Sequence, residues 1–159
     1  MQERMTALES NCKIELVNVT KRFGKVIAND SVNLTIEGGK VLCGGERYTE
    51  GECAKGYFMR PTIFDNCTPD MTIVREEIFG PVVTIQTFQT EEEAIALAND
   101  TIYGLAGGVF THQLERALRV VKEVRAGITW VNAFNPTYNE APWGGYKMSG
   151  IGRELGVHG

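Results

Sequence analysis

The side chains best suited to nucleophilic or metal chemistry in this sequence are four cysteines and two histidines. No two cysteines form a C-x-x-C pair, the spacing that zinc knuckles and redox motifs use, and the histidines share no ligand spacing with the cysteines. We therefore expect free thiols and no bound metal. The residues concerned are Cys12, Cys43, Cys53, Cys67, His112 and His158.

A glycine-dense stretch at residues 142–156, PWGGYKMSGIGRELG, has five glycines in fifteen residues. Glycine is common where the backbone adopts positive φ or approaches another group closely. Unlike a flexible linker, this stretch also carries bulky side chains that must be packed or paired. It predicts an irregular, packed loop in which Lys147, Arg153 and Glu154 form ion pairs.

The chain is acidic, with a formal net charge of −4 and a pI near 5.3. Such a balance provides no positive field to attract phosphate backbones, so nucleic acid is not expected as a partner. The apolar runs are shorter than the ~20 residues that span a bilayer, and the N-terminus lacks the apolar core of a signal peptide. We expect a cytoplasmic protein with no membrane partner.

The first half of the chain is rich in β-forming residues. Two runs, residues 14–19 and 32–36, predict an antiparallel ribbon, with a turn supplied by residues 21–25 and an end at Gly38 and Gly39. Three further strands are predicted at residues 40–43, 56–64 and 82–88, the first of them short and buried.

The second half alternates helical and strand patterns. The predicted elements are helices at residues 91–99 and 113–125 and strands at residues 104–111 and 128–132. Thr90 is the expected N-cap of the first helix, and Gly127 is expected to end the second. This alternation indicates an α/β sheet with right-handed crossovers, in which ligands gather at the carboxyl ends of strands. Asn132 ends one such strand.

Five motifs follow one another along the chain: GYFMRPTIF, REEIFGPV, YGLAGGVFT, AGITWVN and PWGGYKMSGIGRELG, at residues 56–64, 75–82, 103–111, 126–132 and 142–156. With them, residues 40–159 resemble the carboxyl-terminal part of the catalytic domain of NAD-dependent aldehyde dehydrogenases. The tryptophan of PWGG is similar to that of betaine-type members. The resemblance implies an α/β fold consisting of part of the catalytic-domain sheet with flanking helices, preceded by the β-ribbon.

The resemblance makes Glu77 and Phe79 candidate cofactor-binding residues for NAD. Glu77 would accept hydrogen bonds from the hydroxyls of the nicotinamide ribose, and Phe79 would border that ribose. A carboxylate is an acceptor only and can hold a vicinal diol through two charge-assisted bonds. The alternative is that Glu77 pairs with Arg75 or a lysine on the surface and that Phe79 belongs to the core.

By the same resemblance, residues 133–143 correspond to the loop that lines the aldehyde channel. Phe134, Thr137 and Trp143 are its candidate substrate-binding residues, and the partner is a small-molecule aldehyde. A tryptophan face attracts a quaternary ammonium by cation–π attraction, as a betaine-aldehyde-like substrate would require. The alternative for Trp143 is a packed interior side chain, and that for Asn132 is a residue that satisfies backbone groups.

The family's catalytic cysteine, glutamate base and asparagine oxyanion donor lie upstream of the matching segment, and the sequence contains none of them. Cys43 and Cys67 sit in contexts unlike the cysteine motif. We therefore expect no catalytic residue in this chain, which would be a truncated or chimeric member that does not oxidise aldehydes by itself. The alternative is a structural or interaction remnant that self-associates through exposed sheet edges.

Residues 13–39 resemble the opening ribbon of ATP-binding-cassette ATPases, in which an aromatic residue at the position of Phe23 stacks on adenine. No phosphate-binding G-x-x-x-x-G-K-[ST] motif follows. The resemblances together imply two segments, an incomplete ATPase-like ribbon at residues 1–39 and a dehydrogenase part at residues 40–159. A defective ATP-binding module is thus a third hypothesis.

Overall fold

The computed structural model describes the backbone of residues 13–23, 26–37 and 39–158 and the side chains of residues 39–157. The chain forms two compact units, Met1–Thr87 and Phe88–Gly159. In the described part of the chain, no helix is long and apolar enough to cross a membrane. The side chains of Cys12, Phe23 and His158, about which the sequence makes predictions, lie outside the described residues.

The first unit begins with an antiparallel ribbon of β1 (Lys13–Phe23) and β2 (Val26–Glu37). Lys13 lies opposite Glu37 and Phe23 lies opposite Val26, with register shifts between. The predicted antiparallel pair is confirmed, but both strands are longer than predicted. Residues 21–23, assigned to the turn, continue β1, since Arg22 pairs with Ile27 and Phe23 with Val26; residues 24 and 25 are outside the described part.

A three-stranded sheet follows the ribbon. Its strands are β3 (Lys40–Cys43), β4 (Thr62–Asp65) and β5 (Val82–Thr84), in the order β3-β4-β5. β4 pairs antiparallel with β3 and parallel with β5. A 3₁₀ turn at Gly51–Lys55 lies between β3 and β4, and the short helix α1 (Thr72–Arg75) lies between β4 and β5.

The strand predicted at residues 56–64 starts only at Thr62. Pro61 has no N–H to donate to a ladder, so regular pairing begins after it. Upstream, Met59 forms an isolated bridge with Arg47. Arg60 forms ion pairs with Glu46 and Glu50, at 3.0 and 2.7 Å, instead of continuing the sheet.

Phe64 is the centre of the core of the first unit and is completely buried. Ile73 and Cys67 are buried beside it, and six half-buried side chains pack against this cluster: Val41, Met59, Met71, Val74, Ile78 and Val82. Thr62, on the same face of β4 as Phe64, is also buried. Its hydroxyl accepts a hydrogen bond from the Gly45 amide and donates one to the Arg60 carbonyl, both 2.8 Å long.

The prediction that β3 is buried is wrong. Only Val41 turns toward the core, whereas Lys40, Leu42 and Cys43 are exposed. Only the Val41 face of the strand packs against the core cluster, so an apolar run here does not bury both faces.

In its described residues, the second unit contains two small sheets, two α-helices and a 3₁₀ turn at Gly156–His158. Its elements are α2 (Glu91–Asn99), β6 (Tyr103–Gly104), β7 (Ala106–Val109), α3 (Leu114–Glu123), β8 (Ile128–Val131) and β9 (Tyr146–Lys147). β7 and β8 are parallel neighbours joined through α3, and β6 pairs antiparallel with β9. The α/β class predicted from the sequence is confirmed.

Helix α2 has the predicted bounds and the predicted cap, because the Thr90 hydroxyl accepts a hydrogen bond from the Glu93 amide at 3.1 Å. Glu91 in its first turn binds two arginines of α3, Arg119 through two bonds of 3.0 Å and Arg116 at 3.1 Å. Hydrogen bonding from Arg119 lowers the pKa of Glu91. Helix α3 is shorter than the predicted helix at residues 113–125, because it begins at Leu114 and ends at Glu123.

Gly127 has a different role from the predicted helix end, namely close backbone approach. Its amide donates to the Gly104 carbonyl at 3.0 Å. A Cβ atom at Gly127 would overlap the carbonyl group of Gly144, so only glycine fits there. Three segments of the chain therefore meet where β8 begins.

We expect Phe64→Ala to lower the free energy of unfolding of the first unit by about 3–5 kcal/mol, because it leaves a cavity in the core. The matched control is Phe58→Ala, since Phe58 is 53% exposed. It should cost less than about 1 kcal/mol. Chemical denaturation followed by circular dichroism measures both, and equal losses for the two variants would contradict this account of the core.

Candidate functional site

Glu77 and Phe79 lie in the short connection between α1 and β5. Two successive tight turns shape it: the Gly80 amide donates to the Ile78 carbonyl, and the Val82 amide donates to the Gly80 carbonyl, each at 2.8 Å. Ile78 and Val82 on either side pack against the core. With both flanks fixed, Phe79 points outward and is 94% exposed. It is not a core residue, which removes the alternative considered for it.

The Glu77 carboxylate is exposed, and no hydrogen bond or ion pair joins it to another described residue. The alternative pairing of Glu77 with Arg75 or with a lysine is therefore absent from the described contacts. An ionised carboxylate can accept a bond from each hydroxyl of a vicinal diol. A carboxylate and an aromatic ring thus stand two residues apart on a connection fixed at both sides.

The cysteines of the first unit have different exposures. Cys43 is exposed, Cys53 is half-buried and Cys67 is buried, and all three are free thiols. Burial raises the pKa of the Cys67 thiol, which keeps it neutral and a poor nucleophile. Among the residues the structure describes, no group of three or more metal-binding side chains comes together.

In the second unit, Asn132 closes the carboxyl ends of β7 and β8. It has a positive φ of 51°, and its amide donates to the Val109 carbonyl at 2.8 Å. Its side chain accepts from the Thr111 amide at 2.8 Å and donates to the Thr111 carbonyl at 3.0 Å. The side chain thus forms with the Thr111 main chain the two hydrogen bonds that the backbone of a neighbouring strand would form. Asn132 therefore satisfies backbone groups, which is the alternative that was considered for it from the sequence.

Phe134 and Thr137 lie in the loop at residues 133–141, which we call the wall loop. Phe134 is 75% exposed, and its ring lies 5.5 Å from the ring of Trp130 at an angle of 60°. The Trp130 indole N–H donates to the Pro136 carbonyl at 3.1 Å. Thr137 follows directly and is exposed. Phe134 and Thr137 therefore stand on either side of one carbonyl that Trp130 holds.

Trp143 lies beyond the wall loop and is half-buried. Its backbone forms an antiparallel bridge with Glu154, through hydrogen bonds of 2.6 and 2.7 Å. Within the described residues, its ring contacts no other aromatic ring. The structure thus places two of the three candidate substrate residues in one loop and the third in a separate, bridged segment, while Glu77 and Phe79 belong to the other unit.

The predicted ion pairs of the glycine-dense stretch are absent from the described contacts. Lys147 donates to the carbonyls of Asn99 and Thr101, each at 3.0 Å. Arg153 donates to the carbonyls of Gly145 and Gly152, each at 2.8 Å, and lies over the ring of Tyr146. The prediction was wrong because helix ends and irregular loops leave carbonyls unpaired, and these compete with carboxylates for cations.

The sequence profile of the aldehyde dehydrogenase family matches residues 21–159. The chain belongs to the aldehyde dehydrogenase family. Betaine aldehyde dehydrogenase of Bacillus subtilis (strain 168) is 55% identical over 123 residues, which are 77% of this chain and 25% of that protein.

Solved structures of betaine aldehyde dehydrogenase from Staphylococcus aureus are similar as well. The enzyme in complex with NAD+ is 52% identical, with a TM-score of 0.73 over 76% of this chain and 24% of that chain. An apo form of a variant of the same enzyme has the same values. This chain therefore spans about a quarter of the length of the relatives it matches.

The comparisons do not support the resemblance of residues 13–39 to ATP-binding-cassette ATPases. The profile of the dehydrogenase family begins at residue 21 and so includes most of the ribbon. An antiparallel pair of β-rich strands occurs in many folds, and without a phosphate-binding loop its pattern has little specificity. The boundary predicted between residues 39 and 40 stays a prediction.

We expect iodoacetamide to alkylate Cys67 at least about tenfold more slowly than Cys43 at neutral pH, because the buried thiol is neutral and shielded. The raised pKa of Cys67 also makes stability depend on pH. Its contribution to the free energy of unfolding is fully present below the ordinary thiol pKa of about 8.5, and it is lost as the pH rises through the pKa that Cys67 has in the folded protein. Peptide mass spectrometry over time measures both rates, and equal rates would contradict this assignment.

Proposed function

We propose that this chain supplies part of the cofactor-binding and substrate-binding surface of an NAD-dependent aldehyde dehydrogenase. The observation that supports this most directly is the Glu77 carboxylate, exposed and without a described partner, beside the outward-facing ring of Phe79. The relative from Staphylococcus aureus was crystallised with NAD+. When bound, NAD+ would supply the hydride acceptor for oxidation of an aldehyde.

Glu77 is proposed to hold the two hydroxyls of the nicotinamide ribose, and Phe79 to limit the positions that the ribose can take. The tight turns around Gly80 suit this role, since they order the backbone that presents Phe79, and Glu77 directly precedes the first of them. An ordered site loses less conformational entropy when a ligand binds. Orientation of the cofactor is what a protein contributes to hydride transfer.

Phe134, Thr137 and Trp143 are proposed to line the path of the aldehyde, with a betaine-aldehyde-like substrate as the finer proposal. The names of the bacterial relatives support this substrate class. The exposed ring of Phe134 and the half-buried ring of Trp143 both offer π faces to a quaternary ammonium.

Several expectations from the sequence stay predictions. They are that this chain has no catalytic residue, that it is cytoplasmic, and that it has neither nucleic-acid nor membrane partners.

We expect Glu77→Gln to weaken the contact of the chain with NAD+ about tenfold, because the charge-assisted bonds to the ribose become neutral ones. Saturation-transfer NMR with millimolar NAD+ measures it, with the strongest transfer expected at the protons of the nicotinamide ribose. Glu76→Gln is the matched control, since Glu76 is an exposed neighbour with the same charge. The proposal fails if both variants lose contact equally or if the unsubstituted chain shows no transfer.

A structural or interaction role is the second candidate, with association between copies of this chain through open sheet edges. Among the described strands, β3 and β5 are the outer strands of their sheet and each pairs only with β4. Val83 on β5 is 59% exposed. Open edges offer unpaired backbone groups to a second chain.

If β5 mediates association, Val83→Lys should shift the chain from dimer toward monomer, because a charged side chain on an edge strand opposes pairing. Sedimentation velocity at several concentrations measures the shift. Val157→Lys is the control, since Val157 is 89% exposed and lies outside the sheets. A monomer at all concentrations without any substitution would exclude this role.

A further inference from the structure

The wall loop and the residue just before it are held at three points, each through hydrogen bonds to main-chain atoms. Asn132 clamps the backbone of Thr111 just before the loop begins. The Trp130 indole holds the Pro136 carbonyl in the middle, and the Gly156 amide donates to the Asn139 carbonyl at 2.9 Å near the end. The two candidate substrate residues lie next to the middle anchor.

We propose that Trp130 is a positioning residue that sets the places of Phe134 and Thr137 through its hydrogen bond to the Pro136 carbonyl. The inference rests on the proposed function in one respect, namely that these two side chains line the path of the aldehyde. Trp130 itself need not touch the substrate. It determines where the side chains that do so are presented.

Trp130 is fixed by its own strand. It belongs to β8, where it lies opposite Gly108 of the parallel strand β7. Its side chain is half-buried, and Gly127, where only glycine fits, directly precedes the strand. The backbone on both sides of Trp130 is therefore ordered, and this limits the positions of the indole N–H.

Trp130 contacts the loop twice, on the two sides of a bend in the backbone. Asn135 between these contacts has a positive φ of 68°, a conformation that asparagine tolerates better than most residues. Before it, the ring of Phe134 meets the ring of Trp130; after it, the Pro136 carbonyl accepts the indole hydrogen bond. The Trp130 side chain thus contacts the loop before and after the bend at Asn135. Thr137 directly follows the second contact.

The test uses the chain itself and two variants, with amide hydrogen exchange read by mass spectrometry. Trp130→Phe keeps an aromatic ring and removes the donor. Exchange in the peptide of residues 133–141 is expected to become about threefold to tenfold faster, the change that loss of one net hydrogen bond allows. The peptide of α2 is the internal reference and should not change. Phe58→Ala, in the other unit, is the control variant and should leave the wall loop unchanged.

A spectroscopic measurement on the unsubstituted chain keeps the test independent of variant folding. The indole N–H of Trp130 should exchange with solvent several-fold more slowly than that of Trp143, which has no described hydrogen-bond partner, in the same NMR spectrum. Equal indole exchange, an unchanged wall loop in Trp130→Phe, or an equal increase in the wall loop and α2 would each overturn the proposal. Neither measurement involves NAD+ or an aldehyde, so failure of this proposal is distinguishable from failure of the proposed function.

Discussion

The second unit depends on a close approach of backbones at Gly127. Its amide bonds to Gly104, and its missing side chain leaves room for Gly144. Because these contacts lie where β8 begins, they fix the strand that carries Trp130 and leads into Asn132. The position of the wall loop therefore depends on that strand. A steric constraint with no chemistry of its own therefore controls where the aromatic and hydroxyl side chains of the candidate substrate surface stand.

In the first unit, an apolar contact has the equivalent role. Phe64 gathers the side chains of a small sheet and a single helical turn, and Ile78 and Val82 belong to that cluster. The tight turns between these two residues leave Phe79 no place in the core. The exposure of this large aromatic ring follows from the packing of its neighbours.

The sequence was informative where one residue type serves one local purpose. The bounds and the cap of α2 followed from an acidic first turn behind a threonine, and the five motifs identified the family. It was less informative where the outcome depends on neighbours distant in sequence. The exposure of most of β3 depends on which of its faces the core cluster covers, and Lys147 binds two carbonyls that only the fold brings near. Trp130 gave no functional signal, because an aromatic residue in a short strand is usually core.

The anchors of the wall loop all act on main-chain atoms of Thr111, Pro136 and Asn139. Main-chain carbonyls and amides are present whatever side chain a position carries, apart from the missing N–H of proline. The side chains at 134 and 137 can therefore be exchanged without removing a single hydrogen-bonded anchor. In evolutionary terms, the shape of this loop and the chemistry it displays are separable, so a family could diversify its substrates here while keeping one backbone.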